Sequence, residues 1–326
     1  MTGRTPGRRT RRLRRSTAGL AALAALALFG ACTSEPDPEP SPSTDVVVSG
    51  DFGARPTLTY ETPLIVPEPR SELVWDGDGP EVELGSPVLV NWYAQDGRDA
   101  SIIRDTFGDF PEPYWVTPEQ LGSELVDAFV GTHAGARVLQ LSQDGDVPVV
   151  LVADLIAGRA AGTPVEPAEG LPAVTLGATG EPTVAAPDDD PPEELLTQTL
   201  IRGNGAQVVA DQTVMVQYTA MTWSGEQIDS TWATDRSPFV TIVGDSRPIV
   251  AWDEVLIEQT VGSQVLIVAP PAVAYGGTDV PWADETVVFV VDILYAGNLE
   301  APGAGGEQGS DEAGAGSSDD EESSNP

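Results

Sequence analysis

The chain has 326 residues, with 16 arginines and no lysine against 51 acidic residues, and a formal net charge of −35. A surface so acidic repels nucleic acid and anionic lipid headgroups and argues against both as partners. One histidine and one cysteine leave no histidine dyad, thiol pair or disulfide, so the fold rests on apolar cores and the chemistry runs without those groups.

Residues 1–31 read as an export leader. Seven arginines (Arg4, Arg8, Arg9, Arg11, Arg12, Arg14, Arg15) precede "STAGLAALAALALFGAC", giving a basic start, a short apolar run and small residues at its end. The run is shorter than the ~20 apolar residues a membrane-spanning helix needs. Cys32 follows Leu28-Phe-Gly-Ala31, which resembles a bacterial lipobox. That resemblance implies a lipidated Cys32 at the start of the mature chain and an extracytoplasmic protein held to the cell membrane by lipid alone. The other reading is an ordinary secretory signal with an incidental cysteine. Residues 32–50, rich in Pro, Ser, Glu and Asp, read as an extended tether. Residues 298–326, with "GSDEAGAGSSDDEESSNP", hold too few apolar side chains to offset ordering and read as a disordered acidic tail.

Between the tails the chain repeats itself. Residues 73–94 align without gaps on 199–220, 125–141 on 252–268, and 149–158 on the run "VVFVVDILYAG" ending at 297. The offsets are 126, 127 and 138, so the second copy has more residues between its last two strands. This divides the chain into a first domain over 51–160, a linker and leading strand over 161–194, and a second domain over 195–297. Each copy runs in one order. A strand ending in Gly-x-Gly comes first, and these pairs (Gly77 and Gly79, Gly203 and Gly205) read as hairpin turns rather than phosphate loops. An alternating strand follows, with Val214, Val216 and Tyr218 on one face. A polar bulging region and a strand around "PFVTIV" come next. One short helix is then expected, entered by a capping box over Thr117-Pro-Glu-Gln120 in the first copy and by Pro248 in the second. Two apolar strands close the copy. The fold class is α+β, a twisted antiparallel sheet wrapped around one short helix, twice.

The second copy carries "VQYTAM", "GEQIDSTW", "DRSPFVTIVG", "PIVAWDEVL", "VGSQVLIVAPPAVAYGG" and "ETVVFVVDIL" in that order. Over about 199–297 it resembles the FKBP-type peptidyl-prolyl cis-trans isomerases. The resemblance implies an isomerase without cofactor or metal that binds a prolyl segment between helix and sheet. It places Trp252 as the floor under the prolyl ring, with Phe239 and Phe289 as walls. Tyr218 would hold the carboxylate of Asp229, the Ile249 N–H would bind the carbonyl after proline, and the Tyr275 hydroxyl would bind a substrate carbonyl. Ile228 and Trp282 would complete the substrate contacts. The chain departs from the family pattern at Ile228, Pro248 and Ala251, and in a shorter loop from Tyr275 to Thr286. That inventory suits the reaction: rotation about a peptide bond crosses ~18–20 kcal/mol without breaking a bond, so no nucleophile is required.

The first copy lacks this set. By the alignment, Trp92, Ser101, Tyr114, Leu125 and Leu151 stand for Tyr218, Asp229, Phe239, Trp252 and Phe289, and the stretch that carries Tyr275 is deleted. The first domain is thus expected to keep the fold without the site. His133 has no metal partner in spacing and reads as structural or exposed, while the run Asp188-Asp-Asp190, whose carboxylates could suit calcium, is flanked by prolines and reads as a solvated linker. The functional expectation is a prolyl isomerase assisting the folding of exported proteins. The alternatives are a non-catalytic peptide-binding module or holdase, and a purely structural envelope protein.

Overall fold

The computed structural model describes residues 44–186 and 189–298. The leader, Cys32, Asp188 and the tail from 299 onward lie outside them, and no helix among the described residues is long and apolar enough to cross a membrane.

Two antiparallel sheets form from the two copies. In the first half, a hairpin of β1 (Val47–Ser49) and β2 (Thr57–Thr59) precedes β3 (Arg70–Trp75), β4 (Pro87–Asp96), β5 (Ile102–Asp105) and β6 (Glu112–Trp115). Two helices follow, α1 (Pro118–Leu121) and α2 (Ser123–Phe129), then β7 (Arg137–Asp144) and β8 (Val147–Ala157). The sheet order is β3-β7-β8-β4-β5, with β6 also on β4. The second half repeats it. β9 (Gly162–Pro164) comes first, then a hairpin of β10 (Val174–Leu176) and β11 (Pro182–Val184), then β12 (Leu196–Gly203), β13 (Thr213–Thr222), β14 (Gln227–Ser230) and β15 (Phe239–Ile242). Helix α3 (Val250–Val255), β16 (Gln264–Ala269) and β17 (Val287–Gly297) end it. The order is β14-β13-β17-β16-β12-β9, with β15 also on β13.

The repeat recurs in the register. Trp92 faces Ala153, and Val138 faces Ala153 from the other side; Tyr218 and Val265 face Val291 in the same way. Alternation explains why β13 is buried along its whole length. Val214, Val216, Tyr218 and Ala220 pack inward against α3. Met221 packs outward under the β10–β11 hairpin through Val184 and Leu200. The β1–β2 hairpin covers the first sheet in the same way, with Val48 and Leu58 over Leu139, Leu141 and Val152. The halves meet through Leu89 and Phe110 from the first, and Met215 and Leu294 from the second, with the Phe110 and Tyr295 rings edge to face at 5.4 Å.

Four expectations need correction. The Gly-x-Gly pairs are not hairpin turns, because β3 pairs with β7 and β12 with β16. They let two backbones touch: a Cβ at Gly77 would sit 2.0 Å from the Ala134 carbonyl oxygen, and one at Gly203 2.2 Å from that of Val261. The first half has two helical pieces rather than one, broken at Gly122, whose φ is 80°. The capping box is absent. Thr117 makes no side-chain cap, and Gln120 Oε1 accepts the N–H of Trp115 at 2.7 Å instead; in the second half Pro248 precedes the cap residue Ile249. Finally, the tether stops before 47 and the linker of 161–194 contains a hairpin. "VVSGDFGARPT" (47–57) and "VTLGATGEPT" (174–183) are the same motif, so the repeat begins a hairpin earlier than 51 and 195.

Each sheet holds a carboxylate no more than 1% exposed at the same register position. Asp154 faces Arg137 and Asp292 faces Gln264. Asp292 accepts the N–H of Ala160 and the Nε2 of Gln264, both at 2.7 Å, but forms no ion pair among the described residues. Burial, partly offset by those two bonds, pushes its pKa up to about 6 from 3.8. Between those values the folded chain holds a proton that the unfolded chain has lost. The contribution of Asp292 to stability is therefore full below pH 3.8, falls as pH rises to 6, and stays low above it, by an amount on the order of 3 kcal/mol. Urea unfolding of wild type and Asp292→Asn across pH 3.5–7.5 is expected to show the wild type losing ground to the variant within that window.

Candidate functional site

The site is assembled on the inner face of the second sheet. Tyr218 on β13 is 5% exposed, and its hydroxyl donates to Asp229 Oδ2. Asp229 reaches it because β14 pairs Asp229 with Ala220, next to a register shift at Ala220/Met221. The other carboxylate oxygen accepts Arg236 Nη2 at 3.0 Å. Burial first, then the bond to Asp229, drives the Tyr218 pKa far above that of a free phenol, so Tyr218 stays a neutral donor at any physiological pH.

Four rings pack against one another in the second core. Trp252, in the first turn of α3 and 1% exposed, meets Tyr218 at 5.5 Å, Phe289 at 5.7 Å and Phe239 at 6.0 Å, each nearly edge to face. Such contacts add ~0.5–1.5 kcal/mol each beyond area burial. Ile249, the cap residue of α3, is buried and extended (φ −141°), and its N–H has no hydrogen-bond partner among the described residues. Ile228 packs half-buried on the same core.

Tyr275 lies on the loop between β16 and β17, after a 3-10 turn at Pro271–Val273. The next residue must be glycine: a Cβ on Gly276 would lie 2.5 Å from the Pro271 carbonyl oxygen, which accepts the Gly276 N–H at 2.7 Å. The Tyr275 ring stands edge-on to Trp282 at 6.3 Å, and both are half-buried against the aromatic core. Burial, with the charge of Asp229 second, raises the Tyr275 pKa, so its hydroxyl is also a neutral donor. Tyr218, Ile228, Phe239, Ile249, Trp252, Tyr275, Trp282 and Phe289 are thus gathered in or against one core, with Asp229 bonded to it through Tyr218. Arg236 was not anticipated. The signal for it was its isolation, as the one arginine between 203 and 246.

The first half fills the corresponding space. Arg104, not Ser101, takes the place of Asp229: it pairs with Ala94 as Asp229 pairs with Ala220. The Arg104 guanidinium lies 5.1 Å from the Trp92 ring centroid and bonds Glu112 and the Tyr114 hydroxyl. Glu112, not Tyr114, holds the register position of Phe239, facing Val90 as Phe239 faces Val216. The alignment erred because β5 and β6 carry no apolar pattern to fix a register. Leu151 does match Phe289. Leu125 is only partly buried on this core, and Phe129 stacks under Trp92 at 6.2 Å. The Tyr275 loop is replaced by Gly145 and Asp146 between β7 and β8.

The second-half cage is built of aromatic and aliphatic side chains, with the one carboxylate of Asp229 bonded at its edge. Among the described residues no group of three metal-ligating side chains exists, and His133 pairs at 2.8 Å with Asp76 on the surface. The arrangement can desolvate and orient a neutral guest. The sequence profile of one family, described as FKBP-type peptidyl-prolyl cis-trans isomerase, matches residues 205–294. A probable FK506-binding protein of Corynebacterium glutamicum is 29% identical over 36% of this chain and 98% of its own length. The FK506-binding protein of Streptomyces anulatus is 31% identical over 35% of this chain and 95% of its own. The chain belongs to the FKBP-type isomerase family. It is a peptidyl-prolyl cis-trans isomerase, and its FKBP region is the second half. The solved structure of FkpA from Escherichia coli is 26% identical with a TM-score of 0.29, covering 38% of this chain and 51% of that one.

Proposed function

We propose that the aromatic cage of the second half isomerises prolyl bonds in exported polypeptides, while the first half is catalytically silent. The observation that supports this most is the Tyr218–Asp229 pair set beside four edge-packed rings with the Tyr275 loop over them. Trp252 carries the prolyl ring, between Phe239 and Phe289. The Ile249 N–H and the Tyr275 hydroxyl hold the two flanking carbonyls. A planar amide owes its barrier to a charge-separated resonance form, which an apolar surrounding disfavours. Donors placed for the twisted amide stabilise it over the planar one. Lowering the barrier by ~5 kcal/mol speeds rotation a few thousand-fold.

The test is exchange between cis and trans forms of a prolyl tetrapeptide, followed by NMR with the mature chain. Catalysis is expected from the wild type. Tyr275→Phe removes one neutral hydrogen bond, worth ~0.5–1.5 kcal/mol, and is expected to slow turnover about three- to tenfold. No acceleration by the wild type would favour the non-catalytic reading.

We place the protein at the extracytoplasmic face of the cell membrane, anchored through lipid on Cys32. The leader-like residues 1–31 and the lone cysteine support this. Mass spectrometry of the mature protein is expected to find an N-terminal lipidated Cys32, and Cys32→Ser is expected to abolish the modification. An unmodified N-terminus downstream of Cys32 would overturn the placement.

A further inference from the structure

A cleft of about 140 Å³ lies where the halves meet. From the first half it is lined by Leu89, Tyr114 and Trp115, and from the second by Gln217 and by Thr234–Pro238, the loop between β14 and β15. Its size is close to the ~150 Å³ of a cavity that takes up benzene, so it has room for one side chain. The same loop builds the aromatic cage. Arg236 lines the cleft and bonds the carboxylate that holds Tyr218. Pro238 lines the cleft, and the next residue, Phe239, packs on Trp252. The cage lies on the inner face of β13 with Tyr218 and the cleft on its outer face with Gln217, and this loop joins the two at the edge of the sheet.

The cleft also offers donors. Gln217 is 3% exposed, and its Oε1 accepts the Thr231 hydroxyl, so the amide's donor end is the one left for the cleft. Arg236 adds a guanidinium that is half exposed, on a chain where acids outnumber arginines threefold. Donors on a rigid wall beside apolar side chains suit the carbonyls and one side chain of an extended peptide.

We infer that the cleft between the halves is a subsite for the polypeptide that flanks the isomerised proline, so that the first half acts as one wall of the substrate groove. This rests on the aromatic cage being the proline site. Its consequence is a dependence on substrate length. A twelve-residue prolyl peptide is expected to bind about tenfold tighter than a tetrapeptide with the same central residues, the equivalent of one buried side chain or one to two hydrogen bonds. Thr234→Trp and Ser237→Trp each put an indole into the cleft from an exposed position. In each folded variant, checked by melting, the ratio of the two KM values is expected to fall to about one. The tetrapeptide alone reports on the cage. If the wild type does not turn it over, the proline-site reading fails and the subsite fails with it. If the tetrapeptide is turned over but the wild type shows no length advantage, or the advantage survives both substitutions, the subsite is wrong and the cage reading stands.

Discussion

Trp252→Ala is expected to remove most of the isomerase activity together with a large part of the stability of the second half. The side chain is 1% exposed and lies at the centre of the second core, touching Tyr218, Phe239 and Phe289 through ring edges. Truncating a buried aromatic to alanine costs ~3–5 kcal/mol. The indole N–H has no partner among the described residues, so the loss is one of packing rather than hydrogen bonding. Function suffers by a separate route. Without the floor, water reaches the amide and the apolar surrounding is lost, which is expected to cost about a hundredfold in kcat/KM, the equivalent of ~2.7 kcal/mol. Trp252→Phe keeps a ring and separates the two effects, with most of the stability kept and turnover reduced less. Tyr114→Phe, in the first half and away from the cage, is expected to leave turnover of the tetrapeptide unchanged. The measurement is prolyl-peptide turnover beside thermal melting for all three variants. A folded Trp252→Ala chain with wild-type turnover would place the proline site elsewhere.

The strands around that site were legible because their chemistry is periodic. Val214, Val216 and Tyr218 alternate with residues of the opposite face, and the offsets of 126, 127 and 138 return as the register of β4 and β7 on β8 and of β13 and β16 on β17. What stayed hidden depends on backbone proximity rather than pattern. Gly77 and Gly203 look like turn residues until the Ala134 and Val261 carbonyls are seen against them. Residues 47–57 and 174–183 are short, polar and Pro-containing, so they read as tether and linker although each forms a hairpin over a sheet. The pairing of Arg104 with Ala94 was missed because β5 carries no apolar pattern to fix its register against β4. Arg236 depends on a loop fold that no periodicity announces.

Those hairpins supply the second large effect, because the first is fastened to its sheet by a buried ion pair. Arg137 and Asp154 have fully buried side chains. Arg137 Nη2 donates to Asp154 at 2.7 Å and also to the carbonyls of Asp51 at 3.0 Å and Ala54 at 2.9 Å, while Nη1 donates to Gly50 at 3.0 Å. The Gly53 N–H bonds Asp154 Oδ2 at 2.8 Å, and the guanidinium lies 4.6 Å from the Trp75 ring centroid. One cation therefore ties the 50–54 turn to β7, β8 and β3. Arg137→Ala leaves the buried Asp154 carboxylate with the Gly53 N–H as its remaining donor among the described residues, takes the donor from three turn carbonyls, and is expected to cost ~3–5 kcal/mol. The second half holds Gln264 at that position and receives its extra donor from Ala160, which is why it tolerates a neutral partner. Arg137→Gln is therefore expected to fall between wild type and alanine, since an amide together with the Gly53 N–H can hold Asp154 as Gln264 and Ala160 hold Asp292, but cannot also serve the three turn carbonyls. Urea unfolding of the mature chain, with fluorescence from Trp75 and Trp92 in the first half, tests this. If Arg137→Ala unfolds within about 1 kcal/mol of wild type, in the range of an exposed pair, the hairpin is held by its apolar contacts with Leu139, Leu141 and Val152 alone.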